Sequence, residues 1–216
     1  MITGVIADVL PGAIVTAQIT LGAWIISVVL GLVVALVRNG GGPLLAFPVT
    51  GSVVLIRSLP QLVVLYIVFF GLGYFGINLS SLAAAIIGLG VAEAAYSAEY
   101  YRAGFLTVPS TQHDAGLSLG LSRLAVMRLI VIPQSIPFLI PPLLNSLIGL
   151  MKAATLAAAI GAPEILYQGQ QYMTLTGQIG PVALIIIGLY LAATIPLTRS
   201  VRRLEAGVRS RYGHQT

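Results

Sequence analysis

Long apolar stretches alternate with short polar islands along this chain, and the arginines sit in the islands. A helix needs about 20 apolar residues to cross a hydrocarbon core roughly 30 Å thick. Five stretches reach that scale and are expected as membrane spans: Gly12 to Val37, Leu59 to Phe75, Leu82 to Tyr101, Phe138 to Ile160 and Pro181 to Leu197. A further apolar stretch, Pro43 to Ile56, is short and holds Pro43, Pro48 and Gly51; it is expected as an interfacial helix or as the approach to span two. The island Gln112 to Pro133 reads as helical and lies between spans three and four. Small residues crowd span three at Gly88, Gly90, Ala92, Ala94 and Ala95. In lipid such residues let helix backbones approach closely, so span three is expected among the other helices.

Composition agrees with this pattern. Of 216 residues 57% are hydrophobic and 8% charged, with a mean hydropathy of +0.99. A soluble domain carries about 25% charged residues, so a chain this poor in charge cannot cover its own surface with polar groups. The expected fold class is therefore an all-α polytopic membrane protein with about five transmembrane helices, a single domain over residues 1–216. Residues 105–135 form its main polar loop and residues 199–216 a basic tail.

Charge then sets an orientation. With the N-terminus outside, all ten arginines fall on one side, while the opposite loops, Met1 to Pro11, Gly76 to Ser81 and Gly161 to Gly180, hold only Asp8 and Glu164. Basic loops are retained in the cytoplasm, which places residues 105–135 and the C-terminal tail there. The formal charge of +5 is accounted for by attraction to the anionic inner leaflet, and nucleic acid is not an expected partner. The start, MITGVIADVLPG, lacks a basic leader region and carries Asp8, so the first apolar stretch is expected to stay as a span.

Catalytic chemistry finds little support. There is no cysteine, and His113 and His214 stand far apart, which leaves no expected metal site. Gly116 to Gly120 spells G-x-S-x-G, but its flanks are helical rather than strand and helix. Gly71 to Gly76 spells G-x-G-x-x-G, yet it closes an apolar span instead of opening a helix after a strand. With no phosphate-cradling loop, any energised work needs a nucleotide site on another chain.

Three charges fall in or beside spans: Glu93, Glu99 and Lys152. Counting about 1.5 Å per residue puts Glu99 near the inner interface and Glu93 and Lys152 near the middle. Those two are expected either as an ion pair between spans three and four or as parts of a polar path for a charged solute. Span four opens with Pro133, Pro137, Pro141 and Pro142, followed by Asn145. Prolines free backbone carbonyls, which persist at membrane depth only beside protein or water, so this start is expected to border a cavity or to mark the interface.

The spacing of Asp114-Ala115-Gly116, Gly120 and Ile130-Val131-Ile132-Pro133 resembles the EAA motif of ABC importer permeases, EAA-x3-G-x9-I-x-L-P. Asp114, Gly116 and Ile132 depart from the motif while both spacings hold. Ile56 to Val63, Ala95 to Gly104, Pro133-Gln134 with Pro141 and Asn145, Leu150-Met151-Lys152, and Arg202 to Glu205 resemble segments of its polar amino acid subgroup; Ser58, Leu59 and Ala153 depart.

The resemblance implies a coupling helix in the EAA loop that docks in a groove of an ABC ATPase, with Gln112, His113, Asp114, Ala115, Gly116, Gly120, Arg123, Arg128 and Pro133 at or near the docking surface. It implies alternating access for a polar amino acid in the bacterial cytoplasmic membrane, with Glu93, Tyr96, Glu99, Asn145 and Lys152 as candidate path residues. Implied partners are an ATPase dimer that binds ATP and Mg, a second permease subunit of the same or a related chain, and a periplasmic or lipid-anchored binding protein. No cofactor is expected on this chain. The competing expectations are a permease for an osmolyte or methionine, and a secondary transporter or channel acting without an ATPase.

Overall fold

A computed structural model describes the backbone of residues 2–40 and 42–212, and side chains of residues 8–40 and 42–207. His214 and the end of the expected tail lie outside the described residues. The described chain forms helices α1 (Ile2–Gly40), α2 (Gly42–Ser58), α3 (Gln61–Tyr74), α4 (Ser81–Phe105), α5 (Ser110–Ser118), α6 (Arg123–Ile160), α7 (Ile165–Thr176) and α8 (Ile179–Tyr212). Four of these, α1, α4, α6 and α8, are long and apolar enough to cross a membrane, and the bent pair of α2 and α3 has the length and composition of a fifth span or of a re-entrant loop.

The bend between α2 and α3 is 108°. It falls at Leu59-Pro60, where proline lacks an N–H and holds the chain extended at ψ 137°. Pro43 to Ile56 is thus a helix that leads into span two, as one of its expected forms allowed.

Helices α1 and α4 run parallel and touch through small residues. A Cβ on Gly31 would lie 2.6 Å from Ser97 Cβ, and one on Gly90 2.8 Å from Ile26 Cβ. Span three is accordingly buried, with Leu89, Ala84, Ala85 and Ala98 fully enclosed. Helix α6 runs antiparallel to both and is tied to α1 by Trp24 Nε1, which donates to the Leu143 carbonyl at 2.7 Å.

Three expectations are corrected at the helix ends. Within the expected loop Met1 to Pro11, the described residues are helical: α1 starts at Ile2 and continues through Pro11. Gly161 to Gly180 contains α7, which is too short to span and so left no span-length signal. The basic segment from Arg199 is the continuation of α8 to Tyr212 rather than a separate tail. Hydropathy marks where the apolar surface stops, not where the hydrogen-bonded helix stops.

Span four is also longer than expected. It starts at Arg123, inside the polar island, and Pro133, Pro137, Pro141 and Pro142 are all accommodated within helix. Just before Pro133 the helix widens into a π turn at Met127–Val131, where the Ile132 N–H bonds to the Met127 carbonyl. Such turns insert one residue and rotate the preceding segment.

Candidate functional site

The polar island folds into two pieces. Pro109 precedes α5, whose C-terminal end closes at Gly120, with φ +82°. That left-handed conformation suits glycine and lets the Leu121 N–H reach the Gly116 carbonyl at 3.2 Å. Ser122 then caps α6, its Oγ accepting from the Ala125 N–H at 3.2 Å.

Gly116 is the buried residue of α5. Its Cα faces α6, where a Cβ would lie 2.7 Å from Ile130 Cδ1 and 2.9 Å from Val126 Cγ2. Leu117 and Leu121 pack beside it on a core of Ala35, Tyr101, Phe105, Val126, Val131 and Leu139. Gln134 Nε2 donates to Gln112 Oε1 at 2.5 Å, a second tie between α5 and α6. Asp114 and Ala115 remain exposed, and His113 Nδ1 sits 3.7 Å from Asp114 Oδ1. Arg123, Arg128 and Pro133 are exposed but belong to α6 rather than to the short helix. The expected docking residues therefore divide between a small platform and the long helix that carries it.

A second arrangement lies within the spans. Glu93, Tyr96 and Tyr100 on α4, Gln61 at the start of α3, and Pro142, Asn145, Ser146 and Gly149 on α6 line an open cleft of about 480 Å³. Glu93 is buried, and its one hydrogen bond among the described residues comes from Gln61 Nε2 at 3.5 Å. Tyr96 donates to the Arg57 carbonyl at 3.4 Å, and the Arg57 guanidinium stacks 5.3 Å from its ring centroid. Asn145 Nδ2 donates to Glu205 Oε1 of α8 at 2.6 Å.

The Glu93–Lys152 ion pair does not form. Lys152 is exposed and does not line the cleft, lying on α6 at i+7 from Asn145. Depth alone matched the two charges, but Glu93 faces α3. Glu99 is likewise outside the cleft. It accepts from Arg38 and Arg102 at 2.7 Å each, with Arg57 at 3.8 Å, and so joins the ends of α1, α2 and α4.

Sequence reading missed Gln61, Tyr100, Ser146 and Gly149 as cleft residues, and Glu205 as the partner of Asn145. Two signals were available: Tyr100 is at i+7 from Glu93 on the same helical face, and Gln61 directly follows Pro60. Away from the spans, Glu164 caps α7 by accepting from the Tyr167 N–H at 2.7 Å and from the Tyr190 hydroxyl at 3.1 Å. Burial raises its carboxyl above the ordinary range, against the lowering effect of those bonds. Among the described residues no group of three or more His, Asp or Glu side chains could hold a metal ion.

Comparison with known proteins places this architecture. The "Probable amino-acid ABC transporter permease protein YckA" of Bacillus subtilis (strain 168) is 44% identical over 64% of this chain, an alignment that spans 61% of YckA. The "Probable glutamine ABC transporter permease protein GlnP" of the same organism is 32% identical over 90% of each chain. A crystal structure of an amino acid ABC transporter with histidines superposes with a TM-score of 0.85 at 28% identity, covering 93% of this chain and 94% of that one. Residues 27–210 match the family described as binding-protein-dependent transport system inner membrane component. With that match across most of its length, and with a platform helix pinned to a long membrane helix, this chain belongs to the family of binding-protein-dependent transport system inner membrane components, the permeases of ABC transporters.

Proposed function

We propose that this chain is the membrane permease of an ATP-driven importer for a polar amino acid in the bacterial cytoplasmic membrane. The arginine-rich ends of α1, α2, α4 and α8 face the cytoplasm, and the end carrying Glu164 faces outside. The amino-acid and glutamine names of its relatives support the substrate class. ATP and Mg belong to a partner ATPase dimer, the path is completed by a second permease subunit, and a free or lipid-anchored binding protein delivers the solute.

One observation carries this reading: α5 presents Asp114 and Ala115 to solvent while Gly116 fixes it against α6, and the same α6 lines the Glu93 cleft. A push on the platform therefore reaches the cleft through one helix. Gln112, His113, Asp114, Ala115 and Gly120 form the docking face, with Arg123, Arg128 and Pro133 beside it on the lever. Alternating access follows if the ATP-bound partner and the loaded binding protein each prefer a different state, since a ligand shifts such an equilibrium only by its differential affinity.

In the cleft, Glu93 has no cationic partner among the described residues, because Lys152 lies elsewhere. A carboxyl at membrane depth without a charged partner ionises most readily when a cationic solute group sits beside it, so the cleft is read as a path that prefers a basic amino acid. The test is purification from the native membrane. An ABC ATPase should copurify, and Asp114→Lys should abolish its recovery while the permease stays in the membrane. Uptake that proceeds with no ATPase bound would instead make the chain a secondary transporter.

A further inference from the structure

Four polar side chains of the cleft, Gln61, Tyr96, Asn145 and Ser146, share one arrangement: each commits a donor to an acceptor that leaves its oxygen free. Gln61 Nε2 goes to Glu93 at 3.5 Å, the Tyr96 hydroxyl to the Arg57 carbonyl at 3.4 Å, and Ser146 Oγ to the Leu143 carbonyl at 2.8 Å. Asn145 is the instructive case. Its amide can present either its nitrogen or its oxygen to a neighbour, and the neighbour decides which. Here the neighbour is the Glu205 carboxylate, which accepts and does not donate. The nitrogen must therefore turn toward α8 at 2.6 Å, and Oδ1 becomes the free end, with no hydrogen-bond partner among the described residues. Glu205 does not line the cleft, and it stands 60 residues away in sequence from Asn145.

We infer that Glu205 is a positioning residue for solute selectivity: by orienting the Asn145 amide it turns an amphoteric side chain into an acceptor beside the Glu93 carboxylate. The cleft then offers oxygens to a passing solute, and an ammonium or guanidinium group is what oxygens hold. This inference rests on the reading of the cleft as the solute path. A plain tie between α6 and α8 would need the hydrogen bond but not its direction.

Direction can be reversed without losing the bond. In Glu205→Gln the new amide can donate, so Asn145 is free to flip and offer its nitrogen to the cleft. In the double variant Asn145→Asp with Glu205→Gln the donor comes from α8, and an oxygen returns to the cleft. The experiment is equilibrium binding of L-lysine and L-glutamine to the purified permease–ATPase complex in nanodiscs, with the binding protein left out so that its own selectivity does not enter.

The wild-type complex should prefer lysine. Glu205→Gln should weaken lysine binding by on the order of tenfold, the scale of one hydrogen bond to a charged group, and leave glutamine binding nearly unchanged. The double variant should restore the lysine preference. If Glu205→Gln weakens both ligands equally or neither, or if the double variant fails to recover, Glu205 is only a tie between helices and the inference is overturned. A wild-type complex without lysine preference, or one whose preference survives Glu93→Gln, overturns the cleft reading itself.

Discussion

The ion cluster around Glu99 offers the sharpest test of how the arginine-rich end is held. Glu99→Gln keeps the shape of the side chain and removes its charge. Arg38 and Glu99 are only 13% and 19% exposed, so their 2.7 Å pair is largely removed from water. Breaking a buried pair by deleting one partner costs about 3–5 kcal/mol, because the remaining charge is stranded. Arg102 is 47% exposed, and its pair adds at most about 1 kcal/mol. The 3.8 Å contact with Arg57, itself 41% exposed, adds less. A glutamine oxygen still accepts one bond from Arg38 and returns roughly 1 kcal/mol. The expected loss is about 2–5 kcal/mol, measured by denaturant unfolding of the purified permease in detergent. Arg38→Gln should cost a similar amount, and the double variant less than the sum, since removing both partners strands no charge. A loss under about 0.5 kcal/mol for Glu99→Gln, or additivity in the double variant, would refute the reasoning.

Other parts of the bundle yield further tests. Glu164 is buried with a raised carboxyl, so its protonated form suits the folded state better than the unfolded one. Its contribution to stability is full below the ordinary carboxyl range and falls as pH rises through the raised value; Glu164→Gln should flatten that decline in a pH series of unfolding midpoints. Gly31→Val would press a side chain onto Ser97 Cβ and, at 3.1 Å, onto the Ala94 carbonyl and Ala98 nitrogen, so backbone must move. A loss of about 1–3 kcal/mol is expected, whereas Gly51→Ala, with open space around it, should stay within about 0.5 kcal/mol.

What could be read from the sequence and what could not separate along a physical line. Features set by spacing along the chain were legible. The EAA-like spacing from Asp114 to Pro133 holds because each residue's place on α5 or α6 follows from its distance along the backbone. The burial of span three followed from its small residues. Features set by the rotation of one helix against another were hidden. Depth counting put Glu93 and Lys152 in one layer, but only the packed bundle shows that Glu93 turns to Gln61 while Lys152 turns outward. Arg38, Arg57 and Glu99 come together across three helices although Arg38 and Glu99 are 61 residues apart. Helix ends failed for another reason. Pro11 and the arginines from Arg199 look like boundaries to a hydropathy scale, yet neither interrupts the backbone hydrogen bonds of α1 or α8.

The long helix α6 gives the two halves of the proposed site a common mechanical basis. From Arg123 to Asn145 is 22 residues, about 33 Å at 1.5 Å per residue. A flexible linker of that length would absorb a displacement at its base, whereas a packed helix passes it on. Two features tune where α6 yields. The π turn at Met127–Val131 follows the platform contact at Val126 and itself carries the second one at Ile130, so the platform rests on the point where the helix is widened. Beyond it, Leu139 presses on Gly104 and Trp24 grips the Leu143 carbonyl, which fixes the helix against α4 and α1 just before Asn145. In the proposed transport cycle, motion of the platform would reach the cleft as a pivot about the Gly104 and Trp24 contacts. Such a tilt would change the distance between Asn145 on α6 and Glu93 on α4, and with it the width of the cleft that both line.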